Sequence, residues 1–284
     1  MSSLRVAVLT LIALIAFAGN SLLCRVALAQ TPIDAATFTA VRLASGALVL
    51  WLIVRLRGGA TWSYGNCTSA LALFAYAAAF SFAYVTLPAA IGALLLFGAV
   101  QATMIGHGLW RGERLRRPQI VGVLLALGGL VGLLLPGLAA PPLGGALLML
   151  AAGIAWGIYS LRGQGVGDPT AVTAGNFVRT VPLAALLSLV MLDDAMLDSA
   201  GVLLAVASGA LASGIGYAIW YAALPGLKTT LAATVQLSVP VIAALGGIVF
   251  LGEALSARLL LASAAILGGI ALVVLERRRS DAGR

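Results

Sequence analysis

Charge is what this sequence has least of. Only 9% of its 284 residues are Asp, Glu, Lys or Arg, against 62% that are hydrophobic. A soluble domain carries roughly a quarter charged residues, so there is too little charge to cover a water-facing surface. Histidine occurs once, at His107, and cysteine twice, at Cys24 and Cys67. The cysteines lie near the ends of different apolar runs, which excludes a disulfide framework and, with a single histidine, a metal site. The acidic residues stand at the ends of apolar runs or in the gaps between them. An intramembrane enzyme needs clustered acids, bases, nucleophiles or metal ligands within its helices, and a buried proton relay needs a carboxylate there. Neither has its material here, so no enzyme activity and no cofactor are expected. Long polar stretches are also missing, which leaves no room for a soluble domain.

What is there is a succession of long apolar runs. About 20 residues at 1.5 Å rise cross the roughly 30 Å of bilayer hydrocarbon. Ten segments qualify: 4–27, 35–56, 67–86, 89–109, 118–138, 143–162, 172–191, 199–221, 229–250 and 257–276. Short gaps with turn formers separate them, among them Thr31-Pro32, Leu87-Pro88, Pro141-Pro142, Gly167-Asp168-Pro169 and Pro225-Gly226. The first run is too long for a signal core, and bulky Leu23 stands where a lipoprotein site before Cys24 needs a small residue; it reads as a retained helix. The fold class expected is an all-α polytopic membrane protein with ten transmembrane helices.

The net charge of +8 does not make a nucleic-acid surface, because the basic residues are scattered through the gaps. With the N-terminus in the cytoplasm, thirteen of the seventeen fall on the cytoplasmic side, including Arg55, Arg57, Arg111, Arg114, Arg116, Arg117, Arg162, Lys228, Arg277, Arg278, Arg279 and Arg284. That bias places both termini inside. Arg258, and on this reading Arg25, fall in outer gaps, and Arg42 and Arg179 fall within segments.

An internal repeat runs through the chain. At a shift of 137, Arg25 meets Arg162, Arg42 meets Arg179, and Tyr84-Val85-Thr86-Leu87-Pro88 meets Tyr221-Ala222-Ala223-Leu224-Pro225. At a shift of 140, Gly112-Glu113-Arg114-Leu115 meets Gly252-Glu253-Ala254-Leu255, and Gly128-Gly129 meets Gly268-Gly269. The matches keep chain order. Five segments per half force the second half to enter from the opposite side, so the repeats are inverted: 1–140, then 141–276, then a basic cytoplasmic tail, 277–284. Exchanging the conformations of two such halves turns an inward-open state into an outward-open one, the device of small-molecule transporters.

The ordered set of Val41-Arg42-Leu43, Trp156-Gly157, Val178-Arg179, Val239-Pro240-Val241 and the two Gly-Glu-x-Leu stretches resembles the drug/metabolite transporter superfamily. Within it the chain is most similar to EamA-type members and their aromatic amino acid exporter branch. It departs from them at Phe17-Ala18-Gly19-Asn20, which lacks a tryptophan, and in segment 4, which carries Gln101 and His107 instead of a proline. The resemblance implies a bacterial inner-membrane exporter of amino acids or related metabolites, with a small-molecule substrate, the lipid bilayer as surroundings and a functional monomer. A polyspecific drug or cation exporter is the rival reading; it wants an anionic cavity residue that the segments lack.

Such a carrier needs polar and aromatic side chains near the midplane. Asn20, Gln101, Asn176, Gln236 and Ser238 lie within segments; cavity lining and helix–helix hydrogen bonding both account for them. Tyr76, Phe80, Trp156, Tyr159 and Tyr217 lie deep, whereas Tyr84, Trp220 and Tyr221 sit near ends, where an interfacial belt is the default. Aromatic walls suit an amino-acid side chain or a cation. The cavity set expected is Asn20, Tyr76, Phe80, Gln101, Trp156, Tyr159, Tyr217, Gln236 and Ser238. Arg42, Arg179, His107 and Pro240 are assigned gating or structural roles, a structural or gating role for Arg42 and Arg179 being preferred to carboxylate binding. Glu113 and Glu253 read as helix caps or loop ion pairs.

Overall fold

The computed structural model describes residues 2–59, 64–112, 114–137, 140–164, 167–227 and 229–282; Glu113, Lys228 and Arg284 lie outside them. Among the described residues, ten helices are long and apolar enough to cross a membrane: α1 (Ser3–Gln30), α2 (Ala35–Leu56), α3 (Cys67–Tyr84), α4 (Ala89–Trp110), α5 (Arg117–Leu134), α6 (Leu143–Arg162), α7 (Pro169–Val190), α8 (Ser199–Gly226), α9 (Leu231–Leu251) and α10 (Ala257–Leu275). The backbone of α10 stays helical to Ala282, through most of the expected basic tail.

The gaps work as helix starts because they supply acceptors for the orphan N–H groups of a first turn. Asp34 accepts from the N–H of Ala36 and Thr37, Asn66 from Ser69, Asp168 from Ala171 and Asp198 from Gly201. Helix α4 starts after Pro88, which has no capping side chain. Its cap comes from a distant part of the chain: Glu253, beyond α9, accepts from the N–H of Ala89 at 2.8 Å.

Four departures from the sequence expectation have local causes. Helix α1 runs to Gln30, stopped by Thr31-Pro32, so Arg25 is inside the helix rather than in a gap. Helix α5 stops at Leu134 rather than 138, because Leu135 precedes Pro136 and is held extended (φ −55°, ψ 136°). Helix α8 is not one regular helix: Ala207–Ile215 is π-helical between the α-helical Ser199–Val206 and Gly216–Ala223. Helix α9 is interrupted at Leu237, between Thr229–Gln236 and Ser238–Leu251. Pro240 explains the interruption, since it has no N–H to donate to the carbonyl of Gln236.

The strongest packing pairs are α5 with α10, α1 with α8, α2 with α8, α2 with α7, α3 with α6 and α4 with α6, followed by α1 with α9 and α4 with α9. Replacing each helix by the one five places away turns this set largely into itself. Glycines set the closest approaches: Gly153 of α6 lies against Ala99 and Leu96 of α4, and Gly129 of α5 against Ala265 and Ile266 of α10. Leucines such as Leu48, Leu203 and Leu261 point outward and exposed, the reverse of a soluble fold and the pattern of a lipid-facing shell.

Candidate functional site

Aromatic side chains from α3, α6 and α8 meet in the middle of the bundle. Trp156 of α6 is the hub. Its ring lies 4.8 Å from Tyr76, 5.3 Å from Tyr159 and 5.5 Å from Tyr217, the last in a stacked arrangement. Tyr76 continues to Phe80 at 5.3 Å, and Tyr217 to Phe17 of α1 at 5.5 Å and Phe177 of α7 at 6.1 Å. Tyr76, Phe80, Tyr159 and Tyr217 are buried, while Trp156 is half-buried. Each contact of this kind contributes roughly 0.5–1.5 kcal/mol beyond area burial. The deep aromatic residues singled out in the sequence are thus brought together; Phe17 and Phe177, which join them, were not singled out.

Arg42 stands over this group. Its guanidinium lies 5.0 Å from the ring centre of Phe80 and 5.9 Å from that of Tyr76. The residue is 3% exposed, its Nη1 has no hydrogen-bond partner, and among the described residues no carboxylate forms an ion pair with it. Two cation–π contacts offset part of the cost of burying a guanidinium, about 0.5–2 kcal/mol each; an ion pair would offset more. The side chain is buried against these rings rather than exposed at the helix end. The neighbouring backbone is equally unusual: the π-helical stretch of α8 brings Gly209 onto the Arg42 carbonyl and Ser45, where a β-carbon has no room. Next to Gly209, Ser208 donates to the side-chain oxygen of Asn20 at 2.6 Å. Ser208 had no signal in the sequence beyond being one small residue among many.

Arg179, the repeat partner of Arg42, is placed differently. It donates to the carbonyls of Tyr64 and of Gly175, the latter at 2.9 Å. Together with Asn176, whose side-chain oxygen accepts from the N–H of Asn66 at 2.9 Å, it ties the segment before α3 to α7. Arg162 adds bonds to Ser69 and Thr68 of α3. Next to them a polar chain runs inward: Asn176 donates to the Tyr159 hydroxyl, Tyr159 bonds Thr173, and Thr173 bonds Tyr221 at 3.0 Å. Tyr221 therefore belongs to this interior chain and not to an interfacial belt.

The opposite end of the bundle is closed by Arg25 and Glu253. Arg25 donates to the carbonyls of Tyr84 and Val85 at 3.0 and 3.1 Å and lies 3.8 Å from the Glu253 carboxylate that caps α4. Beneath this cluster, buried Tyr84 packs edge-on against Phe80 at 4.8 Å, so the ring is the roof of the aromatic group.

The remaining candidates lie apart. Gln101 follows Phe97 by one turn, and Phe97 packs between α1 and α9. Gln101 and Gln236 are half-buried. Ser238 returns its hydroxyl to the Val235 carbonyl at 2.6 Å, in the break that Pro240 opens. His107 is at the far end of α4 beside Trp110, ring centres 6.0 Å apart. A groove of about 590 Å³ between α5 and α10 has leucine and glycine walls and none of the aromatic residues.

Comparison with known proteins now adds context. Residues 143–275 match the EamA-like transporter family. The chain is 60% identical over 274 residues to the uncharacterized protein PA1977 of Pseudomonas aeruginosa, covering 96% of both chains. It is 35% identical over 161 residues to the threonine/homoserine exporter RhtA of Escherichia coli, where the match spans 54% of this chain and 53% of the relative. Over 174 residues it is 30% identical to the aromatic amino acid exporter YddG of Ancylobacter novellus, spanning 59% and 61%. The chain thus spans about half to three-fifths of the length of these two named exporters. A crystal structure with 25% identity superposes with a TM-score of 0.69 over 95% of this chain and 99% of the other.

Proposed function

Because the chain belongs to the EamA-like transporter family, we propose that it exports amino acids, foremost aromatic or hydrophobic ones, or closely related metabolites, across the bacterial inner membrane by alternating access. The observation that carries this reading is the aromatic group around Trp156, walled by Tyr76, Phe80 and Tyr217 and lying between two polar closures. It offers an apolar side chain stacking surfaces on several sides, while Asn20, Tyr76 and Arg42 offer hydrogen bonds at one edge. Gln101 and Gln236 are half-buried without hydrogen bonds among the described residues. In a bilayer such amides belong beside water, which supports a wetted cleft along α4 and α9.

The two halves, 1–140 and 141–276, act as inverted repeats. The packing pattern that survives their exchange supports this, as does the broken α9, a feature that recurs at transporter binding sites. Both termini are cytoplasmic by the lysine and arginine bias. The Arg25–Glu253 cluster then closes the outer end, and the Arg162–Asn176–Arg179 network lies at the inner end. Lipid surrounds a functional monomer, since one chain carries both halves of the pathway. Transport is facilitative on this reading, which the lack of a carboxylate within the middle of a helix among the described residues supports. The cation-exporter alternative draws support from the ring faces alone, and Arg42 in the same group repels a cation.

The test is flux into liposomes holding the purified protein, with labelled phenylalanine, threonine and a quaternary ammonium compound, with and without a pH gradient. Saturable amino-acid flux that ignores the gradient is expected. Flux of the cation alone, or flux that requires the gradient, overturns the reading in favour of a drug-type or proton-coupled carrier.

A further inference from the structure

We infer that Arg42 is the anchor for the carboxylate of the transported molecule, so that the carrier selects molecules that join a carboxylate to an apolar body and rejects counterparts that lack the carboxylate. The inference rests on the reading of the aromatic group as the transport site and names what that site recognises first.

The argument begins with the cost of a buried cation. A guanidinium 3% exposed inside a span is unfavourable unless it is paired, and intramembrane arginines otherwise mark ligand or ion pathways. Here the pairing is incomplete. Nη1 is buried without a partner, and the Phe80 and Tyr76 rings beside the guanidinium supply no formal negative charge. The repeat makes the contrast internal to the molecule: Arg179 has backbone carbonyls to hold it, one of Tyr64 and one of Gly175, whereas Arg42 keeps an open donor.

The donor also faces the right surroundings. Arg42 stands over the ring faces of Phe80 and Tyr76, and Tyr76 is 4.8 Å from the Trp156 hub. A carboxylate on Nη1 places the carbon chain behind it among these rings. The Arg42 backbone is pinned in turn, since the Arg42 carbonyl abuts Gly209 in the π-helical turn of α8; such turns occur frequently at functional sites. A guanidinium fixed at its backbone and open at one nitrogen is preorganised for a carboxylate, and a charge-assisted bond in this desolvated setting is strong.

Ligands that differ at one group provide the test. Phenylalanine, 3-phenylpropionate, phenylalanine amide and phenethylamine are compared as competitors of labelled-phenylalanine flux and as stabilisers of the detergent-solubilised protein against thermal unfolding. In the wild type, the two carboxylates compete and stabilise, and the amide and amine are weaker by about thirtyfold or more. In Arg42→Met this discrimination disappears, and Arg42→Lys restores part of it. An amide that matches phenylalanine in the wild type overturns the inference, as does an Arg42→Met protein that still discriminates. If Arg42→Met does not fold, the wild-type ligand series alone decides. If the wild type moves no amino acid yet is stabilised by 3-phenylpropionate and not by phenethylamine, the export reading fails and the carboxylate site stands.

Discussion

Gly209 shows how much one residue decides. A β-carbon there meets the carbonyl of Arg42, which is backbone and cannot swing away, whereas one at Gly19 meets nothing within 4 Å. Gly209→Ala is therefore expected to destabilise the protein by about 1–3 kcal/mol. Gly19→Ala, inside α1, is expected to stabilise it by about 0.5–1 kcal/mol. Thermal unfolding of the two variants in detergent separates them, and equal midpoints would mean that α2 and α8 are not packed this closely. Trp156 is the residue whose truncation should reach transport most directly, because it contacts Tyr76, Tyr159 and Tyr217 together. Trp156→Ala is expected to reduce amino-acid flux about tenfold or more with the bundle still folded. Gln101→Ala, which removes an amide outside the aromatic group, should have the smaller effect. Of the site, the sequence made the deep aromatic residues legible, because depth in an apolar run is a matter of counting. The partners Ser208, Thr173 and Phe177 were not legible, because a small polar or aromatic residue in a span carries no mark of which helix it will face.

Two elements depart from regular helix, and both border the proposed pathway. Pro240 deprives the Gln236 carbonyl of its helical donor, and α9 breaks at Leu237. Pro240→Ala is expected to restore that bond, raise thermal stability and slow flux; a variant that transports at the wild-type rate would make the break a structural accident. At the start of α2, Asp34 accepts from Ala36 and Thr37 and also holds the N–H of Met196, joining the 7–8 connection to the helix. Burial works to raise its carboxyl, but the hydrogen bonds from Thr37, Met196 and Ala36 hold it below its ordinary value of 3.8. The folded state thus favours the ionised form. The stabilisation is present in full above the ordinary carboxylate range and is lost as the pH falls through the lower folded value. Below about pH 4 the wild-type unfolding midpoint should fall more steeply than that of Asp34→Asn, and parallel curves would show that this cap does not carry acid sensitivity. Proline and the capping residues could be placed from the sequence alone. The π-helical stretch of α8 could not, because no proline or capping residue in Ala207–Ile215 marks it.

At the scale of the whole molecule, closure at one end rests on a contact between the halves: Glu253, after α9, caps α4 and lies beside Arg25 of α1. Removing the carboxylate leaves the first N–H groups of α4 without acceptors and weakens the hold on Arg25. Cys24, fully buried next to Arg25, is a native reporter of this end, and Cys67 is exposed. In a Cys67→Ser background, Glu253→Ala is expected to raise the rate at which a maleimide labels Cys24. An unchanged rate would show that the cluster holds α4 without governing access.

What the sequence determined by itself is the number of spans, the class of fold, the order of the repeat and the sidedness bias, because hydrophobic length, charge placement and chain order are properties of the chain read in one dimension. Tertiary structure decided which of two equivalent arginines is left open. Arg42 and Arg179 meet at the 137-residue shift, each within a span. Only the fold brings backbone carbonyls to Arg179 and rings to Arg42. A hydrogen bond to a carbonyl from a distant segment has no trace in local sequence, so the difference between an arginine held by carbonyls and one with an unpartnered nitrogen appears only once the helices are packed.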